Sequence, residues 1–155
     1  MTPQELRQRV ANIASEQIGS KDHDMYWREV LPREWQGPHP EHWCGAFTLW
    51  DLHKALGCTW TWQVRGCYGA TRTGYLWRLE TTDNPDIGDI CYMDQPYQHH
   101  AILTAVGDSA EGRPFVISVD GNSGAPPGEV DEKWRARQKW TSFYSIQPLV
   151  DAALS

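Results

Sequence analysis

The residue pattern changes character at Gly88, and this change constrains the fold more than any other feature of the chain. Before Gly88, apolar residues recur at three- and four-residue spacing, which is typical of amphipathic helices. After it come short runs rich in Ile, Val, Phe and Tyr, separated by turn sequences: DICYMD, HHAILTAV, PFVISVD and TSFYSIQPLV. Helices first and strands afterwards predict an α+β fold with a small antiparallel sheet.

The length of the chain fits one domain. It has 155 residues, of which 40% are hydrophobic and 22% charged, and these values are ordinary for a domain with a real core. We therefore treat residues 1–155 as a single domain.

The charge of the chain disfavours several classes of partner. Its formal net charge is -6, and Lys and Arg form no cluster, so we expect no nucleic-acid partner. No stretch approaches the roughly 18 apolar residues of a membrane span. The first residues, MTPQELRQRV, have no apolar run behind basic residues, so we expect no export signal and synthesis in the cytoplasm.

The first helix is predicted from its start signal. Thr2 is a suitable cap, Pro3 suits the first turn, and Glu5 stands three residues after the cap. Gly19 is placed to end the helix. The predicted apolar face consists of Leu6, Val10, Ile13, Ala14 and Ile18. The segment that follows, through LPREWQGPHPEHW, reads as a loop because Pro and Gly punctuate it.

A second amphipathic helix follows Cys44 and is expected to end at Gly57. Leu49, Leu52 and Leu56 make one face, and Asp51 and Lys54 are expected to lie off it. A thiol in the first turn of a helix lies near the positive end of the backbone dipole, which favours thiolate over thiol. Cys44 is therefore a candidate nucleophile, although a free cysteine also serves as a small buried hydrophobe.

A thiolate enzyme needs a nearby base, usually histidine, and a polar group that orients the imidazole. His99 and His100 open one predicted strand, and Asp120 and Asn122 stand at the end of the next. Neighbouring antiparallel strands would bring these ends together, so the residues are candidates for the base and the orienting group.

Four sequence blocks resemble the CHAP and NlpC-type cysteine peptidases, which are peptidoglycan amidases and endopeptidases. WCGAFTLW is similar to the start of their catalytic helix, and IGDICYMD to their Pro-Gly-Asp strand, with Ile87 in place of proline. QHHAILTAV is similar to their His-Val-Gly-Ile-Val strand, and VDGNS to their Val-Glu-Gly-Asn-Thr. All four occur in the family's order. The resemblance implies a papain-like core, with a nucleophile helix packed on a small antiparallel sheet.

The resemblance also implies roles for individual residues. Cys44 falls on the nucleophile, Asn122 on the residue that orients the imidazole, and Asp120 on the neighbouring Glu. An ungapped match makes His99 the base, but His100 stays open as the alternative. Strand alternation supports His99, since it places His99 on one strand face with Ala101, Leu103 and Ala105. Small residues on this face would let the nucleophile helix pack closely.

The implied activity is cysteine-dependent hydrolysis of an amide bond in peptidoglycan, through a thioester and without metal or cofactor. A phage lysin released by a holin, or an interbacterial effector with a delivery or immunity protein as partner, would suit a lone acidic domain and would act on the cell wall. The alternatives are a non-catalytic binding module of the same fold, and a thiol acyltransferase or hydrolase that acts on another substrate.

Other residues near Cys44 have weaker signals. Trp43 and His42 are candidates for the wall of a substrate cleft. The spacing of His39, His42 and Cys44 matches no metal motif, so we predict no metal site. Cys58 and Cys67 flank a Trp-rich segment, and sequence leaves open whether they form a disulfide.

Overall fold

The computed structural model describes residues 1–30, 42–58 and 79–155. In these residues, helices pack on a five-stranded sheet with the order β4-β3-β2-β1-β5, in which all neighbouring strands are antiparallel. The predicted α+β class is confirmed. The elements are α1 (Pro3–Glu16), α2 (His23–Val30), α3 (Cys44–Leu56), β1 (Ile90–Met93), β2 (His99–Asp108), β3 (Pro114–Ser123), β4 (Glu129–Ala136), a 3-10 turn (Arg137–Lys139), β5 (Ser142–Tyr144) and α4 (Gln147–Leu154). None of the described helices has the length and apolarity that a membrane crossing needs.

The predicted helix ends are formed by the expected caps. The Thr2 hydroxyl accepts from the Glu5 backbone N–H at 3.1 Å, and the Glu5 carboxylate accepts from the Thr2 backbone N–H at 2.6 Å. Gly57 ends α3 in the left-handed conformation, with φ of 71°. The first helix ends earlier than expected, because Ile18 lies beyond α1 and is 46% exposed.

Three elements were not predicted from the sequence. The segment read as a loop contains α2, which buries Tyr26, Trp27 and Val30 against the core. The charged sequence of β4 lacks the apolar enrichment expected of a strand, since it forms the edge of the sheet. The run TSFYSIQPLV was expected to be a strand throughout, but only its start is β5, and it continues into α4 with Pro148 in the first turn.

The helices cover one face of the sheet. The main core joins residues of all four described helices to Ile90, Ile102 and Val119 of the strands. A second apolar cluster contains Ala101 and Leu103 together with Cys91, Met93, Val116, Trp140 and Phe143. The prediction that α3 packs on the face of Ala101 and Leu103 is therefore wrong, because Ile102, with the opposite orientation on β2, belongs to the core of α3.

The small residue that lets α3 approach the sheet is Gly121 of β3. A Cβ atom at this position would lie 2.6 Å from the Phe47 Cβ and 3.0 Å from the Trp43 Cζ3. These distances are shorter than van der Waals contact, so only glycine fits without a shift of the helix or the strand. The approach fixes the first turn of α3, including Cys44, against the end of β3.

Asp51 lies inside the core, although its helix position was expected to lie off the apolar face. The residue is fully buried, and neither carboxylate oxygen has a hydrogen-bond partner in the part of the chain that the structure describes. Burial raises the pKa of the Asp51 carboxyl well above its usual range, because a low-dielectric interior disfavours the charged form.

Asp89, in the sequence block IGDICYMD, ties three parts of the fold together. Its Oδ1 accepts hydrogen bonds from Arg7 Nη1 at 2.8 Å and from the Ile146 backbone N–H at 2.9 Å. Its Oδ2 accepts from the Asp86 backbone N–H at 2.8 Å. The Arg7 and Asp89 side chains are almost fully buried, so this ion pair fixes α1 and the entry to α4 at the start of β1.

Replacing Gly121 by Ala is expected to lower the free energy of unfolding by about 1 to 3 kcal/mol, the usual cost of overpacking a core. Gly107→Ala is the matched control, since its Cβ would meet the ring tip of the half-buried Phe115 at 2.9 Å, and this ring packs on the exposed Trp134 rather than on the core. Urea unfolding of both variants measures the difference. Equal losses would show that the contact at Gly121 is not specially tight.

Asp89→Asn is expected to lower the free energy of unfolding by about 3 to 5 kcal/mol, because it removes the buried counter-charge of the Arg7 guanidinium and leaves only the half-exposed Asp86 carboxylate, 3.8 Å from Arg7 Nε. Asp131→Asn is the control, since Asp131 pairs with Lys133 at 3.2 Å on the surface and such exposed pairs contribute about 0 to 1 kcal/mol. Thermal or urea unfolding at neutral pH compares the two variants. A similar small loss of stability in both would contradict the role of Asp89 as the buried partner of Arg7.

Candidate active site

Cys44 is the first residue of α3, at the end of the helix that faces the sheet. Trp43 occupies the cap position, and its indole N–H donates to the Pro127 carbonyl oxygen at 3.1 Å. The backbone N–H groups of the first turn lack partners within the helix, so they create a positive potential around the thiol. Cys44 is 9% exposed, so the thiol is shielded from most solvent.

The pKa of the Cys44 thiol is set by burial and by two histidines. Burial by itself raises this pKa, but attraction to His99 and hydrogen bonds with His100 and His99 lower it, and the net result lies well below the usual range. An adjacent imidazolium stabilises the negative charge of a thiolate. The structure therefore brings Cys44 and His99 together, and the attraction between them favours the thiolate and the imidazolium.

His99 is held by Asp120. Its Nε2 lies 2.6 Å from Asp120 Oδ2, which leaves Nδ1 as the ring nitrogen for the thiol. Burial alone lowers the pKa of His99, but the Cys44 thiolate and the hydrogen bond to Asp120 raise it to about 10. The imidazole is therefore protonated at neutral pH and oriented by a carboxylate.

Asp120 is the centre of a buried polar network on β3. Its Oδ2 also accepts from Arg135 Nη1 at 2.8 Å, and its Oδ1 accepts from the Ser118 hydroxyl at 2.5 Å. Burial raises the pKa of this carboxyl, but hydrogen bonding and attraction from His99, with the charge of Arg135, bring it below its usual value. Asp120 is thus a carboxylate although its side chain is fully buried.

The predicted orienting residue, Asn122, makes no hydrogen bond to His99 among the described residues, although both side chains line the same cleft. Within the described residues the imidazole is bonded to Asp120 instead. A register shift between Asp120 and Ser123 inserts a residue into β3, and Asn122 adopts a left-handed conformation in this bulge, with φ of 56°. A bulge breaks the period-two alternation of a strand, and the Asn122 side chain lies against Gly128.

His100 faces the opposite side of β2 from His99. It is buried, its ring lies 5.1 Å from the Tyr92 ring, and it shares a hydrogen bond with the Cys44 thiol. The bond to Asp120 belongs to His99. An imidazole oriented by a carboxylate is the arrangement that general-base catalysis needs, so the geometry favours His99.

The structure corrects the predicted role of Trp43. Its side chain is fully buried and stacks on Tyr26, with ring centroids 5.6 Å apart, so it belongs to the core and does not form a cleft wall. His42 is exposed beside it. Among the residues that the structure describes, no cluster of His, Cys, Asp and Glu is placed to hold a metal ion. His39 and Cys67 lie outside these residues, and Cys58 is a free thiol.

Ser118, Arg135 and Trp140 were missed by the sequence reasoning. Ser118 stands two residues before Asp120, so strand alternation places it on the same face. Arg135 lies on β4, which was not predicted as a strand because its sequence is highly charged. The Trp140 ring is nearly parallel to that of His99, with centroids 6.3 Å apart. Only the spacing of Ser118 offered a sequence signal.

A cleft of about 530 Å³ adjoins the imidazole of His99. Its wall includes Tyr97, Asn122, Lys133 and Arg135, so amide and cationic groups face the space beside the base. A larger depression of about 680 Å³ runs along α1 and has no thiol or imidazole among its described lining residues. Of these two spaces, the cleft at His99 is the one with a candidate catalytic side chain in its described lining, which includes His99 but not Cys44.

Comparisons with known proteins add no family assignment. Neither a scan against protein-family models nor a search of curated proteins finds a match for this chain. The geometry of Cys44, His99 and Asp120 therefore carries the functional argument.

We expect iodoacetamide to alkylate Cys44 rapidly at about pH 6.5, where an ordinary thiol is only about 1% thiolate. His99→Gln and Asp120→Asn are expected to slow this reaction by at least about tenfold, because they remove the partners that stabilise the ion pair. Peptide mapping by mass spectrometry follows each cysteine. Cys91 serves as the internal control, since burial raises the pKa of its thiol well above the usual range.

Asn122→Ala is expected to alkylate at the rate of the unmodified protein, because Asn122 lies in the bulge and not on the imidazole. Loss of reactivity in His100→Gln, with retention in His99→Gln, would assign the base to His100 and contradict the geometry described above.

Proposed function

We propose that the chain is a cysteine hydrolase with a papain-like core, and that it cleaves an amide bond of peptidoglycan. The observation that carries this proposal is the buried arrangement of Cys44, His99 and Asp120, in which a thiol of lowered pKa meets an imidazole held by a carboxylate. Nucleophile, base and orienting group are the three parts that covalent acyl transfer requires.

The first half of the reaction is acylation. The Cys44 thiolate attacks the carbonyl carbon of the amide, and a tetrahedral intermediate with a negatively charged oxygen forms. Backbone N–H groups in the first turn of α3 supply donors for this oxygen. The His99 imidazolium then gives its Nδ1 proton to the leaving nitrogen, the C–N bond breaks, and a thioester with Cys44 remains.

The second half is hydrolysis of the thioester. Neutral His99 takes a proton from water, the resulting hydroxide attacks the thioester carbonyl, and the C–S bond breaks. The products are the free carboxylic acid and the Cys44 thiolate, and His99 is again protonated. Asp120 keeps the imidazole in one orientation through both steps by its 2.6 Å bond to Nε2.

The choice of peptidoglycan as substrate is supported by the sequence resemblance to CHAP and NlpC-type enzymes. The bond is either the one between the lactyl group of the sugar and the first alanine or one within the stem peptide. The cleft beside His99 offers an amide and cationic groups to such a peptide. A phage lysin or an interbacterial effector is the biological setting we propose, with the cell wall as the site of action.

The test is digestion of purified peptidoglycan, with released fragments identified by mass spectrometry. We expect new fragments with the unmodified protein and none with Cys44→Ala. Cys58→Ala is the matched control and is expected to retain activity, since Cys58 lies at the far end of α3. The mass of the fragments identifies the bond.

Intact peptidoglycan with all three proteins would overturn the proposed substrate. If Cys44 is still rapidly alkylated in that case, the reactive thiol serves another acyl substrate. If Cys44 is unreactive as well, the chain is a binding module.

A further inference from the structure

Four side chains, those of Asp120, His99, Arg135 and Trp140, form a closed ring of contacts. His99 Nε2 and Arg135 Nη1 lie 2.6 Å and 2.8 Å from the same carboxylate oxygen, Oδ2. The Arg135 guanidinium lies 5.2 Å from the centre of the Trp140 ring, and this ring stacks on His99 at 6.3 Å. Each member therefore contacts two others, so none can turn without disturbing the ring.

The proposed reaction removes one of the two positive charges that are bonded to Asp120. In the resting site the His99 imidazolium is a counter-charge for this fully buried carboxylate. When His99 passes its proton to the leaving nitrogen, the imidazole becomes neutral. A buried carboxylate without an opposite charge is strongly unfavourable, so the proton transfer would be opposed unless another cation remained.

Arg135 is a permanent cation, because a guanidinium in a protein keeps its charge. We propose that Arg135 is a positioning residue, which keeps Asp120 ionised and fixed while His99 cycles between imidazolium and imidazole. This role rests on the proposed cysteine hydrolase function. Trp140 contacts both Arg135 and His99, and these contacts hold the guanidinium in place.

The other groups around this centre do not replace Arg135. Cys44 and His100 lie on the side of α3, Tyr97 meets the His99 ring edge-on at 5.9 Å, and the neutral thiol of Cys91 on β1 is coupled electrostatically to Asp120. Lys133 lies two residues before Arg135 on β4 but is paired with Asp131. Among the described residues, Arg135 is the permanent cation bonded to Asp120.

The test is the titration of His99, followed by NMR of the protein with ¹⁵N-labelled histidine. Arg135→Gln removes the charge but keeps an amide donor for Asp120. Without Arg135, the imidazolium is the only cation bonded to the carboxylate, so we expect the pKa of His99 to rise by about one pH unit. Arg135→Lys, which restores the charge, is expected to bring the pKa most of the way back.

Lys133→Gln is the matched control, because it removes the same charge from the same strand without touching Asp120. We expect it to leave the titration of His99 unchanged. An unchanged pKa in Arg135→Gln, or an equal rise in Lys133→Gln, would overturn the proposal. Should Arg135→Gln fail to fold, Arg135→Lys takes its place: a pKa of His99 that rises more than in Lys133→Gln would support the proposal, and a pKa as unchanged as in Lys133→Gln would overturn it.

This measurement uses no substrate, so its outcome is independent of the peptidoglycan assay. Rapid alkylation of Cys44 in Arg135→Gln at neutral pH is expected as well, since His99 still balances Asp120 in the resting site. If Arg135→Gln keeps the rapid alkylation of Cys44 but turns over substrate more slowly, Arg135 acts in proton release from His99, because a damaged site would lose both.

Discussion

The close approach of α3 to β3 at Gly121 is the constraint on which the rest of the molecule depends. Because no Cβ fits at this position, the helix rests almost directly on the strand, and its first turn reaches the ends of β2 and β3. This contact helps to set the position of Cys44 beside His99. A fold that places a thiol so close to a sheet needs a residue without a side chain below it, and the chain has one in the required position.

The site that results is a buried series of alternating charges. The Cys44 thiolate, the His99 imidazolium, the Asp120 carboxylate and the Arg135 guanidinium follow one another from α3 to β4. Each charge has a neighbour of opposite sign, which offsets the cost of removing it from water. The series therefore behaves as one unit, and the effects of substitutions within it are not expected to add.

Much of this arrangement was predictable from local patterns. The cap at Thr2, the end of α3 at Gly57 and the first three strands follow from short-range signals that the structure reproduces. The choice of Asp120 over Asn122 was not predictable, because it depends on a bulge between Asp120 and Ser123 that breaks the strand alternation at Asn122. Arg135 was missed for a related reason: an edge strand of alternating charges gives no apolar signal, and only its neighbours reveal which charges face inward.

The buried carboxyl of Asp51 has a consequence for how the protein responds to acidity. In the unfolded chain this group ionises near its ordinary pKa, whereas in the folded chain burial keeps it protonated to much higher pH. At a pH between these two pKa values, folding is accompanied by the uptake of a proton at Asp51. The native state therefore becomes less stable as the pH rises through this interval, whereas below the interval Asp51 does not destabilise the native state. Asp51 and Cys44, both on α3, therefore respond to pH in opposite senses. The buried carboxyl favours the native state at lower pH, whereas the thiolate form of Cys44 persists only above the lowered pKa of that thiol.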